Sequence, residues 1–198
     1  ARPACPAASS TTPPGGTAMS ALGWKGGIGT SSRVVQIATE TATVGVLVQA
    51  NFGGTLTVSG VRMGDLQPEP HEEKLGASIM IIYATDLPLP GSDLDRVAKR
   101  ATFGLARTGS RGGHGSGDYV IGFSTTFRNG ENPTIRQAMQ EDESLIDVPF
   151  QAIAEATEEA ILNALFKATR LVGYNGNVRE ALPINRVLDR LKQAGVLK

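Results

Sequence analysis

The run "IMIIYA" (residues 79–84) constrains this chain more than any other stretch, because it is almost continuously apolar over strand length. That pattern is expected of a strand buried on both faces rather than of one with a wet side. Three other runs are rich in β-branched and apolar residues: "VGVLVQAN" (residues 44–51), "TLTVSGVR" (residues 55–62) and "YVIGFST" (residues 119–125). The intervening "FGG" suits a hairpin turn between the first two. Glycine, 24 residues in all, clusters in "GWKGGIGTSSR" (residues 23–33) and "RTGSRGGHGSGD" (residues 107–118), both of which read as loops.

Helices are equally legible. After "LPLPG", Ser92 is the expected N-cap, and Asp93 and Asp95 complement the helix dipole in the first turn. Leu94, Val97, Ala98, Ala101 and Leu105 then recur at helical spacing. A longer helix is expected over residues 149–170, with its apolar stripe on Phe150, Ile153, Ala154, Ile161, Ala164, Leu165 and Ala168, and Gly173 as its stop. A last short helix carries Ile184, Val187, Leu188 and Leu191 and ends at Gly195, while "EDESL" (residues 141–145) reads as a solvated acidic connector. Strands and helices mix without regular βαβ alternation. Doubly buried central strands then imply an α+β layered domain in which helices cover a sheet sandwich.

Several function classes are disfavoured by composition. Lys+Arg and Asp+Glu are 19 each, so the net charge is zero and no nucleic-acid partner is expected. Arg96, Lys99 and Arg100 alternate with apolar positions and read as the solvated face of a helix. A single cysteine, Cys5, excludes an intramolecular disulfide, and His71 and His114 are too few and too far apart for a zinc site. No apolar run is long enough to span a bilayer, so no membrane partner is expected. Residues 1–16 lack a signal peptide's charged and apolar regions and read as a flexible lead-in. A cytoplasmic location is favoured over a periplasmic one.

Three kinds of site deserve a test. "GWKGGIGT" has Lys25 ahead of its glycines and matches neither G-x-x-x-x-G-K-[ST] nor G-x-G-x-x-G, so it reads as a tight backbone turn. No G-x-S-x-G elbow occurs, and His114, Ser116 and Asp118 lie too close in sequence to assemble a histidine triad. The third possibility is a serine that becomes a chain terminus. A chain cut before Ser or Thr frees an α-amine with a pKa of about 7.7–8.0, which can accept the hydroxyl proton near neutral pH. The cut uses the same hydroxyl, which attacks the preceding carbonyl. A small preceding residue exposes that carbonyl, and a rigid strand fixes the attack angle. "GA" followed by "SIMIIYA" meets both requirements at Ala77 and Ser78, although an idle serine at a strand edge shows the same local pattern.

Taken together, "GWKGGIGTSSR", "VGVLVQANFG", "SIMIIYATDLPL", "LARTGSRGGHGSGDYVIGFST" and "ALFKATRLVGYNG" resemble the self-processing aminopeptidases that group L-aminopeptidase/D-esterases with β-peptidyl aminopeptidases. The resemblance implies an Ntn-hydrolase-like αββα sandwich. Residues 17–198 would form one catalytic domain, cut into the end of an α chain (residues 17–77) and a β chain (residues 78–198). It implies Ser78 as nucleophile, Asn51 as oxyanion donor, and Ser116 and Asp118 as the network that orients Ser78. Lys25 and Gly115 are expected near bound substrate. No cofactor or metal is implied. The expected partners are a short peptide, amide or ester substrate and further copies of the chain, in a homo-oligomer of αβ heterodimers.

This sequence departs from the resembled pattern in two places. The residue before the nucleophile is Ala77 rather than Gly or Asn, which predicts slower cleavage. The long segment upstream of "WKGGIG" is replaced by the lead-in, so the sequence is expected to be a fragment or a truncated homologue. Two rival readings follow: an inactive homologue with a structural or binding role, and an acyltransferase of the ornithine acetyltransferase type. Ser78 stands against the second, because those enzymes resemble a threonine-nucleophile pattern.

Overall fold

The computed structural model describes residues 16–17, 19–68 and 78–198. A two-residue ribbon, β1 (Ser20–Ala21) against β2 (Trp24–Lys25), leads into two long antiparallel strands, β3 (Gly27–Ile37) and β4 (Glu40–Asn51). A second ribbon, β5 (Thr57–Val58) against β6 (Val61–Arg62), precedes β7 (Ser78–Thr85). Then come α1 (Gly91–Arg107), β8 (Tyr119–Ser124), α2 (Thr134–Glu141) and α3 (Asp147–Phe166). A third ribbon, β9 (Leu171–Val172) against β10 (Val178–Arg179), precedes α4 (Ile184–Gln193).

The frame is a four-stranded sheet in the order β3-β4-β7-β8. The pairs β3–β4 and β4–β7 are antiparallel, and β7–β8 is parallel. A parallel pair requires a crossover, and α1 supplies it. Helix α3 lies on β3 and β4, and α1 lies beside α3 over β8.

Missing side chains let these layers approach. A Cβ at Gly29 on β3 would come within 1.9 Å of the Ala160 carbonyl oxygen on α3, and one at Gly104 on α1 within 2.2 Å of the Ala154 carbonyl oxygen. Alanines 152, 156, 160 and 164 of α3 are all buried in this contact zone. Tyr83 of β7 is fully buried, with its hydroxyl donating to the Leu94 carbonyl at 2.6 Å. Its ring occupies the space a side chain at Gly122 on β8 would need, since a Cβ there would lie 2.0 Å from the ring.

Several expectations are corrected. The stretch at residues 23–33 is not all loop, because Gly27 onward forms β3, where glycine serves close packing under α3. The "FGG" turn does not fold residues 55–62 back onto β4. Thr55 and Thr57 donate instead to the carbonyls of Gly109 and Thr108 after α1, and residues 55–62 shrink to the β5–β6 ribbon. The run 79–84 is not buried on both faces. Ile79, Ile81 and Tyr83 are buried toward the helices, whereas Ile82 is 37% exposed on the other side.

Among the described residues the helices thus cover one face of the sheet. The opposite face carries exposed Leu47, Ile82 and Ile121, which sit opposite one another across β4, β7 and β8.

Helix positions are close to expectation, with shifted ends. Pro90 rather than Ser92 holds the N-cap of α1, its carbonyl accepting from Asp93 and Leu94. Helix α3 spans residues 147–166 rather than 149–170, because the chain from Leu171 pairs as β9. In the acidic connector, Asp142 caps a short 3-10 turn by accepting from Ser144. Arg96 and Arg100 flank the Phe150 ring, at 4.0 Å for Arg100. No described helix is long and apolar enough to cross a membrane.

Candidate active site

The site is built at the end of the sheet where β4 stops and β7 starts. Asn51, the last residue of β4, is the register partner of Ser78, the first residue of β7. Since paired residues project to the same face, the amide and the hydroxyl stand side by side on neighbouring strands. The side-chain amide of Asn51 has a defined orientation: the Ser20 main-chain N–H donates to Asn51 Oδ1 at 3.0 Å. An N–H can address only the oxygen of that amide, so Nδ2 with its two donors is the end that remains. The β1–β2 ribbon therefore sets which end of Asn51 is available to a ligand.

From the other flank comes the glycine-rich loop between α1 and β8. Its start is anchored where Gly109, at φ 99°, bonds to Thr55; a Cβ there would lie 1.8 Å from the Thr55 carbonyl oxygen. The chain then turns through Gly112 and Gly115, both at positive φ, and Ser116 donates its main-chain N–H to the Gly113 carbonyl at 3.0 Å. Beyond this turn, Ser116 Oγ donates to Asp118 Oδ1 at 2.7 Å. Between them, the Gly117 main-chain N–H donates to Ser78 Oγ at 3.0 Å.

The structure thus brings Ser78, Asn51, Ser116 and Asp118 together. Gly115 lies exposed on the same loop, as does His114, in keeping with a loop role for that histidine. Lys25 is 3% exposed, and its ammonium donates to the carbonyls of Gly16 and Gly26, each at 2.7 Å. Burial lowers its pKa from the usual lysine range. Ala77, on the other side of the expected cut, and His71 lie outside the described residues.

Two participants escaped the sequence reading. Gly117 stood inside the "GSGD" motif, but nothing local distinguishes its amide from its neighbours'. Ser20 is 31 residues from Asn51 and acts through its backbone, so side-chain chemistry could not reveal it.

A hydroxyl held by an amide donor, beside a carboxamide whose Nδ2 makes no hydrogen bond among the described residues, can carry out acyl transfer. The hydroxyl attacks a carbonyl carbon, and the carboxamide stabilises the oxygen as it becomes negative. The four residues named contain no strong base.

Residues 7–179 match the sequence pattern of "Peptidase family S58". The β-peptidyl aminopeptidase BapA of Sphingosinicella microcystinivorans is 39% identical over 209 aligned residues, covering 93% of this chain and 52% of that protein. The L-aminopeptidase D-Ala-esterase/amidase of Ochrobactrum anthropi, described as a variant of the Ntn hydrolase fold, superposes with a TM-score of 0.78 at 36% identity. That match covers 92% of this chain and 52% of the other. The PH0078 protein of Pyrococcus horikoshii OT3 superposes with a TM-score of 0.76 at 42% identity, covering 92% and 51% respectively. The chain spans about half the length of the relatives it matches. At these identities the fold carries over: the described sheet and helices are α+β elements of an Ntn-hydrolase fold.

Proposed function

The chain belongs to peptidase family S58, and on that premise we propose that it is the nucleophile-bearing part of a self-processing serine aminopeptidase acting on short peptides, amides or esters. The observation that carries the reading is the convergence on Ser78. Asn51 is its register partner on one flank, and Gly117, between Ser116 and Asp118, hydrogen-bonds its Oγ from the other.

In the first step Ser78 Oγ attacks the carbonyl of Ala77. The C–N bond breaks, an ester forms and the Ser78 nitrogen becomes a free amine. Water then hydrolyses the ester, leaving Ala77 as a carboxylate and Ser78 as a chain terminus. In each later turnover this amine, with an ordinary pKa of about 7.7–8.0, accepts the proton from Oγ as Oγ attacks the substrate carbonyl. Asn51 Nδ2 donates to the oxyanion. The amine passes its proton to the leaving amine or alcohol, and water releases the acyl group from Oγ. Ser116 and Asp118 hold the loop so that the Gly117 N–H stays on Ser78. Gly115, at positive φ, gives that loop its turn beside bound substrate. Buried Lys25 fixes the backbone at Gly16 and Gly26 near the end of β4. The α and β pieces remain associated after the cut, and the αβ units assemble into a homo-oligomer.

The test is denaturing mass spectrometry of the incubated protein, followed by turnover of amino-acid amides. A fragment beginning at Ser78, lost together with turnover in Ser78→Ala, supports the proposal. An intact chain that still hydrolyses amino-acid amides refutes it.

A further inference from the structure

We propose that Tyr119 sets the substrate preference of this site. Its ring forms one wall of the space that receives the side chain of the released residue, and it selects apolar side chains over small ones. The inference rests on the acyl-transfer reading of Ser78.

Tyr119 opens β8 and pairs with Met80 on β7, so it projects on the same face as Met80 and Ser78, away from α1 and α3. It is also next to the nucleophile. A Cβ built at Gly117 would lie 3.4 Å from Ser78 Oγ, 3.1 Å from Tyr119 Cε2 and 3.7 Å from the Tyr119 hydroxyl. The notch left by the missing side chain at Gly117 is therefore walled by the nucleophile on one side and by the Tyr119 ring on the other.

The ring is available for that role. It is 62% exposed, and its hydroxyl makes no hydrogen bond among the described residues. Beyond it the apolar surface continues through Ile121 and Ile82, which are register partners. An aromatic ring of this kind offers a large contact area with little conformational freedom to lose.

Strand order then decides which part of the substrate meets it. The sequence β4-β7-β8 places Asn51 and Tyr119 on opposite flanks of Ser78. A carbonyl oxygen drawn to Asn51 Nδ2 points toward β4, so another substituent of the attacked carbon is turned toward β8. The proposal assigns that place to the residue being released, and substrates varied at each end test the assignment.

The experiment compares the full chain with Tyr119→Ala and Tyr119→Phe, using leucine and alanine p-nitroanilides and the corresponding amides. Tyr119→Ala is expected to reduce the leucine-over-alanine ratio of kcat/KM at least tenfold. Tyr119→Phe keeps the ring and should preserve the ratio. An unchanged ratio in Tyr119→Ala, or a change that follows the leaving group rather than the released residue, overturns the proposal. Binding separates it from the catalytic reading. Ser78→Ala protein, titrated calorimetrically with leucinamide and alaninamide, should prefer leucinamide, and adding Tyr119→Ala should remove that preference. Should the wild-type chain turn over none of these substrates, the aminopeptidase reading fails while the titration still decides the role of Tyr119. No leucinamide preference, or one unaffected by Tyr119→Ala, overturns it.

Discussion

The Gly117 main-chain N–H donates to Ser78 Oγ at 3.0 Å, linking residues 39 positions apart in the chain. This bond presents the hydroxyl in one orientation from the flank opposite Asn51. A methyl group at position 117 would sit 3.4 Å from Oγ and 3.1 Å from the Tyr119 ring, inside the space that the proposed function assigns to substrate. Gly117→Ala is therefore expected to lower kcat/KM roughly 100-fold, as displacements of about 1 Å at a reacting centre do. The thermal midpoint should stay within a few degrees of wild type. Steady-state kinetics beside differential scanning calorimetry checks both; a variant with full activity would show that the notch is not used.

Asn51→Asp separates folding from catalysis at the neighbouring position. A carboxylate still accepts the Ser20 N–H, so the β1 contact survives. It has no N–H to offer an oxyanion and adds a negative charge beside it. A fall in kcat of about 10²–10³ is expected, the cost of losing one oxyanion donor. Urea unfolding should be nearly unchanged. An active Asn51→Asp variant would remove Asn51 from the mechanism.

Lys25 contributes to stability with a definite pH signature. Lys25→Met leaves the Gly16 and Gly26 carbonyls without their ammonium donor and is expected to cost about 1–3 kcal/mol. Because burial lowers the folded-state pKa below the usual lysine value, the unfolded chain binds more protons in the interval between the two. Wild-type stability therefore rises relative to Lys25→Met as pH climbs through the lowered pKa toward 10.5. Denaturant titrations at several alkaline pH values measure the difference, and a gap that shrinks as pH rises contradicts the assignment.

Acid should act on the clamp between β3 and α3. Arg33 bonds both Glu155 and Glu159. The Gln151 hydrogen bond, followed by the Arg33 contacts, holds Glu155 below the usual carboxylate range. For Glu159, burial alone would raise the pKa, and bonds from Arg33 and Ser31 outweigh it. Both folded-state values are depressed. The stabilisation is thus present above pH 4.5 and is lost as pH falls through the folded-state values. Arg33→Met should cost up to about 1 kcal/mol at neutral pH, since both carboxylates are partly exposed. It should also flatten stability against pH below 4.5, as read by acid titration of the unfolding midpoint.

Gly29→Ala tests the sheet–helix contact. With 1.9 Å to the Ala160 carbonyl and 2.7 Å to the Ala164 nitrogen, both backbone atoms, the added methyl must push α3 off β3. A loss of about 1–3 kcal/mol is expected in chemical unfolding. A neutral result would mean that the layers can separate without penalty.

How much of this was legible without coordinates differs by feature. The helices at residues 91–107 and 184–193 follow from apolar spacing and nearby Pro and Gly, because a helix face is a local property of the chain. Ser78 and Asn51 are nominated only through the family resemblance that their motifs carry, since Ser78 by itself reads equally as an idle serine at a strand edge. By contrast, the glycines at residues 27 and 29 read as loop but form a strand. What favours glycine at 29 is the approach of Ala160, 131 residues away, and no local pattern carries that information.

The apolar run at residues 79–84 shows the same division. Composition alone determined that it forms a strand, since β-branched and apolar residues at that density favour a pleated, buried surface. Which side chains are covered depends on where α1 and α3 land, and they cover Ile79, Ile81 and Tyr83 but leave Ile82 open. Likewise, sequence determined that a serine precedes the strand and that glycines surround residues 116–118. Only the tertiary structure placed the Gly117 amide on Ser78 Oγ, aligned Asn51 with it and turned the amide of Asn51 by means of Ser20. In both hydrogen bonds the donor is a main-chain N–H, which every residue type but proline carries, so the donor is chosen by the fold and leaves no mark in the order of side chains.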